Sequence, residues 1–304
     1  MILLLGVKGD PTIQAVATHL AREPDIIVLW LDLYDLVDGI TIEDEITAGS
    51  GPSVRWSDGT QCWNSGDVSG VLSRLDFRAE FGAFEAFAPD ESEYVYCEYA
   101  AYLLFALRSL DNVLNPPSNR IDLGRCRSLP YQWSLVRQLM PRLRVPCAFL
   151  GNPRDDARIL NFRHNAVIAR DVYDGRYWET KPWDPADPQQ EESSLVYERP
   201  RGRPIVIVVV GQSCWVNHLD NGTKCGIDDM IVSMLCPVLM AHFGLVMAEI
   251  LIFFDEENQT YTFGSISEDV QIESVSKASR EEFVELVCAM LHRRQPTRNA
   301  RALP

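Results

Sequence analysis

Residues 195–211, Leu-Val-Tyr-Glu-Arg-Pro-Arg-Gly-Arg-Pro-Ile-Val-Ile-Val-Val-Val-Gly, join a short polar turn to an apolar run that stops at a glycine. The run from Ile205 to Val210 is entirely β-branched, and such residues fit the pleated surface of a sheet. It reads as a strand. The prolines and the glycine between Glu198 and Ile205 mark the preceding segment as a turn, so the strand is entered through a hinge.

A chain of 304 residues with 46% apolar and 23% charged residues is long enough for two or three subdomains of ordinary globular composition. Met1 opens directly onto Ile2-Leu3-Leu4-Leu5-Gly6-Val7, which is too short for a signal peptide and lacks a basic leader. No stretch approaches the roughly 18 apolar residues of a membrane span. Residues Met230 to Phe254 are interrupted by Ser233, Pro237, His242 and Glu249, and read as a buried helix leading into a strand. A cytoplasmic protein is expected, with no membrane partner. The net charge of −15, with only four lysines among 28 basic residues, repels phosphate backbones, so no nucleic-acid partner is expected.

The eight cysteines contain no Cys-x-x-Cys pair, which argues against a zinc site and predicts reduced, mostly buried thiols. His164, His218 and His242 show no metal-binding spacing. The loop Gly6-Val7-Lys8-Gly9-Asp10 stands between a strand and a helix, yet lacks the glycine spacing of a phosphate loop.

In the first half, strands and helices alternate. Ile2–Val7 reads as a strand, Thr12–Arg22 as a helix and Ile26–Leu31 as a second strand ending at Asp32. Thr41–Thr47, Ser53–Trp56 and Gln61–Trp63 read as short antiparallel strands separated by turn residues. Val68–Leu72 reads as another strand, ending at Ser73-Arg74. Glu93–Leu110 reads as a long helix with Tyr94, Cys97, Ala101, Leu104, Phe105 and Leu107 on its apolar face, stopping before Asn115-Pro116-Pro117. Leu129–Leu139 reads as a helix, and Arg144-Val145-Pro146 leads into a strand, Cys147–Leu150.

This order of elements, the Arg-terminated strand at Ser73-Arg74, the Asn115-Pro116 turn and the hinge at Tyr197-Glu198 together resemble the ATP-grasp ligases that modify ribosomal peptides, the microviridin-type enzymes. The resemblance spans nearly the whole chain in element order. It implies an α/β (α+β) fold with three parts. These are an N-terminal pre-ATP-grasp-like open sheet over 1–117, a central ATP-grasp-like subdomain over 118–198 and a C-terminal one over 199–304, the last two enclosing a cleft. It also implies that backbone near Tyr197 holds adenine and that Glu198 lies beside the ribose.

Enzymes of that family phosphorylate a carboxylate with ATP and let an amine displace the phosphate, using basic side chains and two Mg²⁺ ions held by hard oxygen ligands. Carried over residue by residue, the resemblance places Arg170, ending Ala166-Val167-Ile168-Ala169-Arg170, where a lysine is expected; arginine also holds phosphate. It places Val206 where a phosphate-binding arginine is expected. Arg201 and Arg203 either replace that donor or are solvated turn residues. The strand Ala248–Phe254 should carry an aspartate near Leu251 or Ile252 and has only Glu249 and Asp255. The last strand, Tyr261 to Ser267, carries Ser265 and Ser267 where glutamate and asparagine are expected. Glu268 and Asp269 are either recruited metal ligands or an acidic turn. Trp178, Trp183 and Tyr177, in the segment Tyr173–Glu192, are either peptide anchors or packing residues.

Serine hydroxyls are neutral and cannot replace a carboxylate bridging two divalent ions. The expectation is therefore an ATP-grasp-related protein of a peptide or natural-product modification pathway that has lost Mg-ATP ligation and acts as a binding or partner subunit. Its partners would be a peptide or small carboxylate substrate, or an active ATP-grasp paralogue, with a homodimer also allowed. The alternative is an active, divergent carboxylate–amine ligase, with ATP and Mg²⁺ as cofactors, that uses Arg170, Glu268 and Asp269 in altered roles.

Overall fold

The computed structural model describes residues 1–45, 53–75, 81–85, 87–115, 128–151, 166–169, 181–182, 194–218 and 229–292. In chain order the elements are β1 (Ile2–Leu5), α1 (Pro11–Leu20), β2 (Val28–Leu31), α2 (Leu33–Gly39), β3 (Thr41–Glu45), β4 (Ser53–Ser57), β5 (Cys62–Asn64), β6 (Gly70–Ser73), α3 (Pro89–Arg108) and β7 (Val113–Leu114). They continue with α4 (Leu129–Leu139), β8 (Ala148–Gly151), β9 (Ala166–Ala169), β10 (Lys181–Pro182), β11 (Ser194–Glu198), β12 (Arg203–Val210), β13 (Ser213–His218), α5 (Asp229–Phe243), β14 (Met247–Asp255), β15 (Thr260–Ser267) and α6 (Arg280–His292). The chain divides into two compact units, one of residues 1–124, 244–246 and 271–304, the other of residues 125–243 and 247–270.

The first unit is built on a parallel sheet of order β2-β1-β6-β7. The three segments read as N-terminal strands thus lie in one sheet. All of β1 is buried, as expected of a parallel strand covered on both faces. Helix α1 starts where Asp10 accepts from the backbone N–H groups of Thr12 and Ile13 at 2.8 and 2.9 Å. It turns Ile13, Val16 and Leu20 inward. The other Asp10 oxygen takes the Nε of Arg74 at 2.8 Å, and the Arg74 side chain is buried. The three short strands form an antiparallel sheet of order β3-β4-β5, where Trp56 faces Trp63 and both pack into the core with Leu33 and Phe84.

Helix α3 corrects the sequence reading. Its buried stripe is Ala100, Leu103, Ala106 and Leu107, whereas Tyr94, Cys97 and Phe105 are exposed. Residues 99–107 are apolar on every side, so periodicity there does not single out one face. Exposure is also general among the thiols. Cys62, Cys97, Cys147 and Cys214 reach solvent and only Cys236 and Cys288 are buried among the described residues, against the expectation of mostly buried cysteines. The exposed ones lie on strand ends, edge strands and outer helix faces, where a small side chain is tolerated without being covered.

The C-terminal helix α6 belongs to the first unit, packing on α1 and β6. Its end is held by Asn112, whose amide nitrogen donates to the carbonyls of Ser69 at 2.8 Å, Met290 at 3.2 Å and Leu291 at 2.9 Å. The last carbonyls of a helix lack intrahelical donors, and here a buried side chain supplies them.

The second unit contains two four-stranded antiparallel sheets, β10-β9-β11-β8 and β13-β12-β14-β15. The apolar run identified in the sequence is β12, between β13 and β14, and Ile205 to Val210 are all buried. Helix α5 packs on β14 through a buried stripe of Leu235, Cys236, Leu239 and Met240. It is not wholly buried as read, because Met234 and Val238 face solvent.

Replacing Asn112 by Ala removes a side-chain donor shared by three carbonyls, that of Leu291 in a buried contact. It is expected to destabilise the protein by about 1–3 kcal/mol, read as a lowered urea midpoint at unchanged slope. An unchanged midpoint would show that this amide does not anchor α6.

Candidate functional site

The hinge runs from β11 into β12. Glu198 donates its backbone N–H to the Cys147 carbonyl at 2.9 Å, which holds the end of β11 to the strand entrance before β8. The following turn needs glycine at position 202. Its φ is +101°, and a Cβ there would overlap the carbonyl of Phe254. Beneath the hinge, the buried Tyr197 ring meets Trp133 of α4 edge-on at 5.3 Å. The Trp133 indole donates to the Gly264 carbonyl at 2.7 Å.

Helix α4 and the segment after it close the outer edge of β15. The Gln132 amide accepts from Ile266 N at 2.9 Å and donates to Ile266 O at 3.2 Å, as a neighbouring strand would. Arg144 donates to Tyr261 O at 3.0 Å and accepts from Phe263 N at 2.8 Å. An edge strand offers unpaired donors and acceptors along its length, and these contacts satisfy them. β15 is thereby fixed in position.

A cavity of about 420 Å³ opens beside the hinge, lined among others by Glu198, Arg199 and Arg201, by Arg137 and Arg144, and by Asp255. Among the described residues no ion pair ties Arg137, Arg144 or Arg199 to a carboxylate. Asp255 accepts from the Asn258 side chain at 2.7 Å and from the backbone N–H groups of Glu257 and Asn258. Its carboxyl is held below the usual range, first by the Asn258 amide against the opposing effect of burial, with Arg201 adding attraction. Four arginines on one concavity, in a chain of net charge −15, make this a local anion-attracting site. Arg203 is placed differently. It pairs with Glu256 at 3.3 Å and is absent from the cavity wall.

Strand register decides what stands at the other end of this sheet. Leu251 pairs with Val206 and with Ser265, and Glu249 pairs with Val208 and with Ser267. Directly paired residues and their second neighbours share a face, so Glu249, Ser265, Ser267, Val206 and Val208 lie on one side. A bulge between Leu251 and Ile252, opposite Gly264, keeps Thr260 and Thr262 of the cavity wall on that same side. As read from the sequence, no acid stands at Leu251 or Ile252; Leu251 lies opposite Ser265, and Glu249 lies two residues earlier on the same face, on the side of the strand that the bulge does not reach. The carboxylate of Glu249, nearly buried, does stand in the row.

Chemically, the row offers one carboxylate and two hydroxyls, and its members on β12, Val206 and Val208, are apolar. Ser267 Oγ already accepts from Asp269 N at 3.1 Å. Glu268 is buried just beyond the strand, while Asp269 is exposed. No group of three His, Cys, Asp or Glu side chains that could hold a metal ion occurs among the described residues. Two Mg²⁺ ions bridging a triphosphate need several anionic oxygens from the protein, and this donor set does not fit them. Arg170, Tyr177, Trp178 and Trp183 lie outside the described residues.

No family model matches the sequence, and no curated protein does. Solved structures do match. The macrocyclase MdnC from Microcystis aeruginosa MRC, bound with precursor peptide MdnA, is 16% identical with a TM-score of 0.72, over 95% of this chain and 98% of that one. A RiPP-associated ATP-grasp ligase from Chryseobacterium gregarium, in complex with ADP and a leader and core peptide, is 14% identical with a TM-score of 0.71, over 99% of both chains. The ATP-grasp ligase PsnB, complexed with a minimal precursor, Mg and ADP, is 15% identical with a TM-score of 0.69, over 95% of this chain and 97% of that one. The chain has the fold of these ATP-grasp ligases.

Proposed function

We propose that this chain is a binding or partner subunit of a peptide-modification pathway, with the ATP-grasp scaffold retained and Mg-ATP-dependent ligation lost. The observation that carries this reading is the row of Glu249, Ser265 and Ser267 beside Val206 and Val208. One carboxylate and neutral hydroxyls neither balance two divalent cations nor, with no cation in the row, hold a transferring phosphate. A peptide as ligand is supported by the MdnC, Chryseobacterium and PsnB structures, each of which holds one. The arginine-lined cavity supports an acidic or carboxylate-bearing group on that ligand.

Glu249 also favours a second reading. A carboxylate in register could serve a divergent ligase that forms an acyl phosphate, with Arg170, Glu268 and Asp269 in altered roles. The two readings separate on metal dependence.

Two outcomes are expected. By calorimetry the natural protein binds Mg-ATP weakly, and the double variant Ser265→Glu, Ser267→Asn binds it about tenfold more tightly, a gain of about 1.4 kcal/mol. Equal affinities would show that this row does not limit metal binding. When precursor peptides of this class of pathway are titrated, binding is the same with and without Mg-ATP, and Arg144→Gln with Arg201→Gln weakens it. A peptide that binds only in the presence of Mg-ATP would favour the divergent ligase.

A further inference from the structure

Helix α3 carries two apolar stripes. One of them, with Leu103, Ala106 and Leu107, packs into the core of the first unit. The other, Tyr94, Cys97, Ala101, Leu104 and Phe105, recurs at intervals of three and four residues and so runs along the opposite side. Tyr94 is 68% and Phe105 37% exposed, Cys97 is exposed, and Ala101 and Leu104 are half-buried. The stripe follows most of a helix of 20 residues, which at 1.5 Å per residue is about 30 Å long. Single apolar residues on a surface are ordinary, but a continuous stripe marks an interaction site.

We propose that this outer face of α3 pairs with the same face of a second copy of the chain, antiparallel about a two-fold axis at Ala101, to make a homodimer. The spacing favours a copy of the chain itself as the occupant. Tyr94 and Arg108 stand seven residues to either side of Ala101, and Cys97 and Phe105 four residues to either side. In an antiparallel pair centred on Ala101, Cys97 therefore meets Phe105 of the other copy, and Tyr94 meets Arg108 of the other copy. A two-fold contact requires this kind of self-complementarity, in which one patch supplies both halves. Alanine, the smallest side chain of the stripe, falls where the helices cross, and the side chains at the crossing set how closely two axes approach.

Charge selects the same orientation. Glu91, Glu93 and Glu98 stand exposed in the first half of α3, and its one basic residue, Arg108, lies at its end. Reversing one helix brings each Arg108 over the Tyr94 ring and between the Glu91 and Glu98 carboxylates of the other copy, an attraction made twice in each dimer. A parallel pairing would set acid against acid, so the sequence disfavours it.

The test is the mass of the full chain in solution, by light scattering after gel filtration at micromolar concentration. The natural chain is expected at about twice 34.4 kDa. Ala101→Glu sets two carboxylates against each other on the axis, and is expected to halve that mass with an unchanged circular dichroism spectrum. Ala101→Cys gives a gain of signal instead. Two positions on the axis approach within the Cα separation of about 4–7 Å that a disulfide spans, so mild oxidation yields a covalent dimer on a non-reducing gel, beyond any formed by the natural chain with the same other thiols. Lys277→Cys, exposed in the first unit and off α3, yields no such excess. A monomeric natural chain, a dimer that survives Ala101→Glu, or an Ala101→Cys chain that does not cross-link overturns the proposal. So does hydrogen exchange in which added precursor peptide, and not a higher protein concentration, protects α3, since the occupant would then be the peptide.

Discussion

The constraint on which the second unit depends is the pairing register of β12, β14 and β15. Side chains alternate faces along a strand, so a shift of one residue would exchange every group on one side for those on the other. The register is held by the fully buried β12 in the middle and by α4 at the outer edge. There the Gln132 amide pairs with both backbone groups of Ile266, and Trp133 reaches the Gly264 carbonyl. The bulge at Gly264 then adjusts the phase between the two ends of β15. With this frame fixed, Glu249, Ser265 and Ser267 fall into one row.

The two ends of that sheet face differ in charge. Near the hinge, four arginines gather around a cavity in a strongly acidic chain, which makes a local attraction for anions despite the overall field. At the far end the side chains are hydroxyls, valines and one nearly buried carboxylate. A ligase of this fold must do the reverse, concentrating carboxylates and cations where the phosphates react. The proposal of binding without ligation rests on that distribution more than on any single replacement.

Much of the fold was legible because its strands are short, apolar and bounded by glycine or proline. The run Ile205 to Val210 was read as a strand and α4 at Leu129–Leu139, both as found. What was not legible had physical reasons. Helix α3 is apolar around its whole circumference between Tyr99 and Leu107, so the buried face is chosen by the sheet it meets. Helix α2 was overlooked although Asp32 and Asp35 form a capping box at its start.

The central claim is that this scaffold no longer couples ATP cleavage to bond formation. The most direct measurement is ADP formation by the purified full chain with Mg-ATP and a carboxylate-bearing precursor peptide, alongside the mass of the peptide. The account predicts ADP at the level of the protein-free control and a peptide of unchanged mass. ADP formation well above that control, accompanied by loss of water from the peptide and abolished by Arg170→Ala, Glu268→Ala or Asp269→Ala, would contradict it.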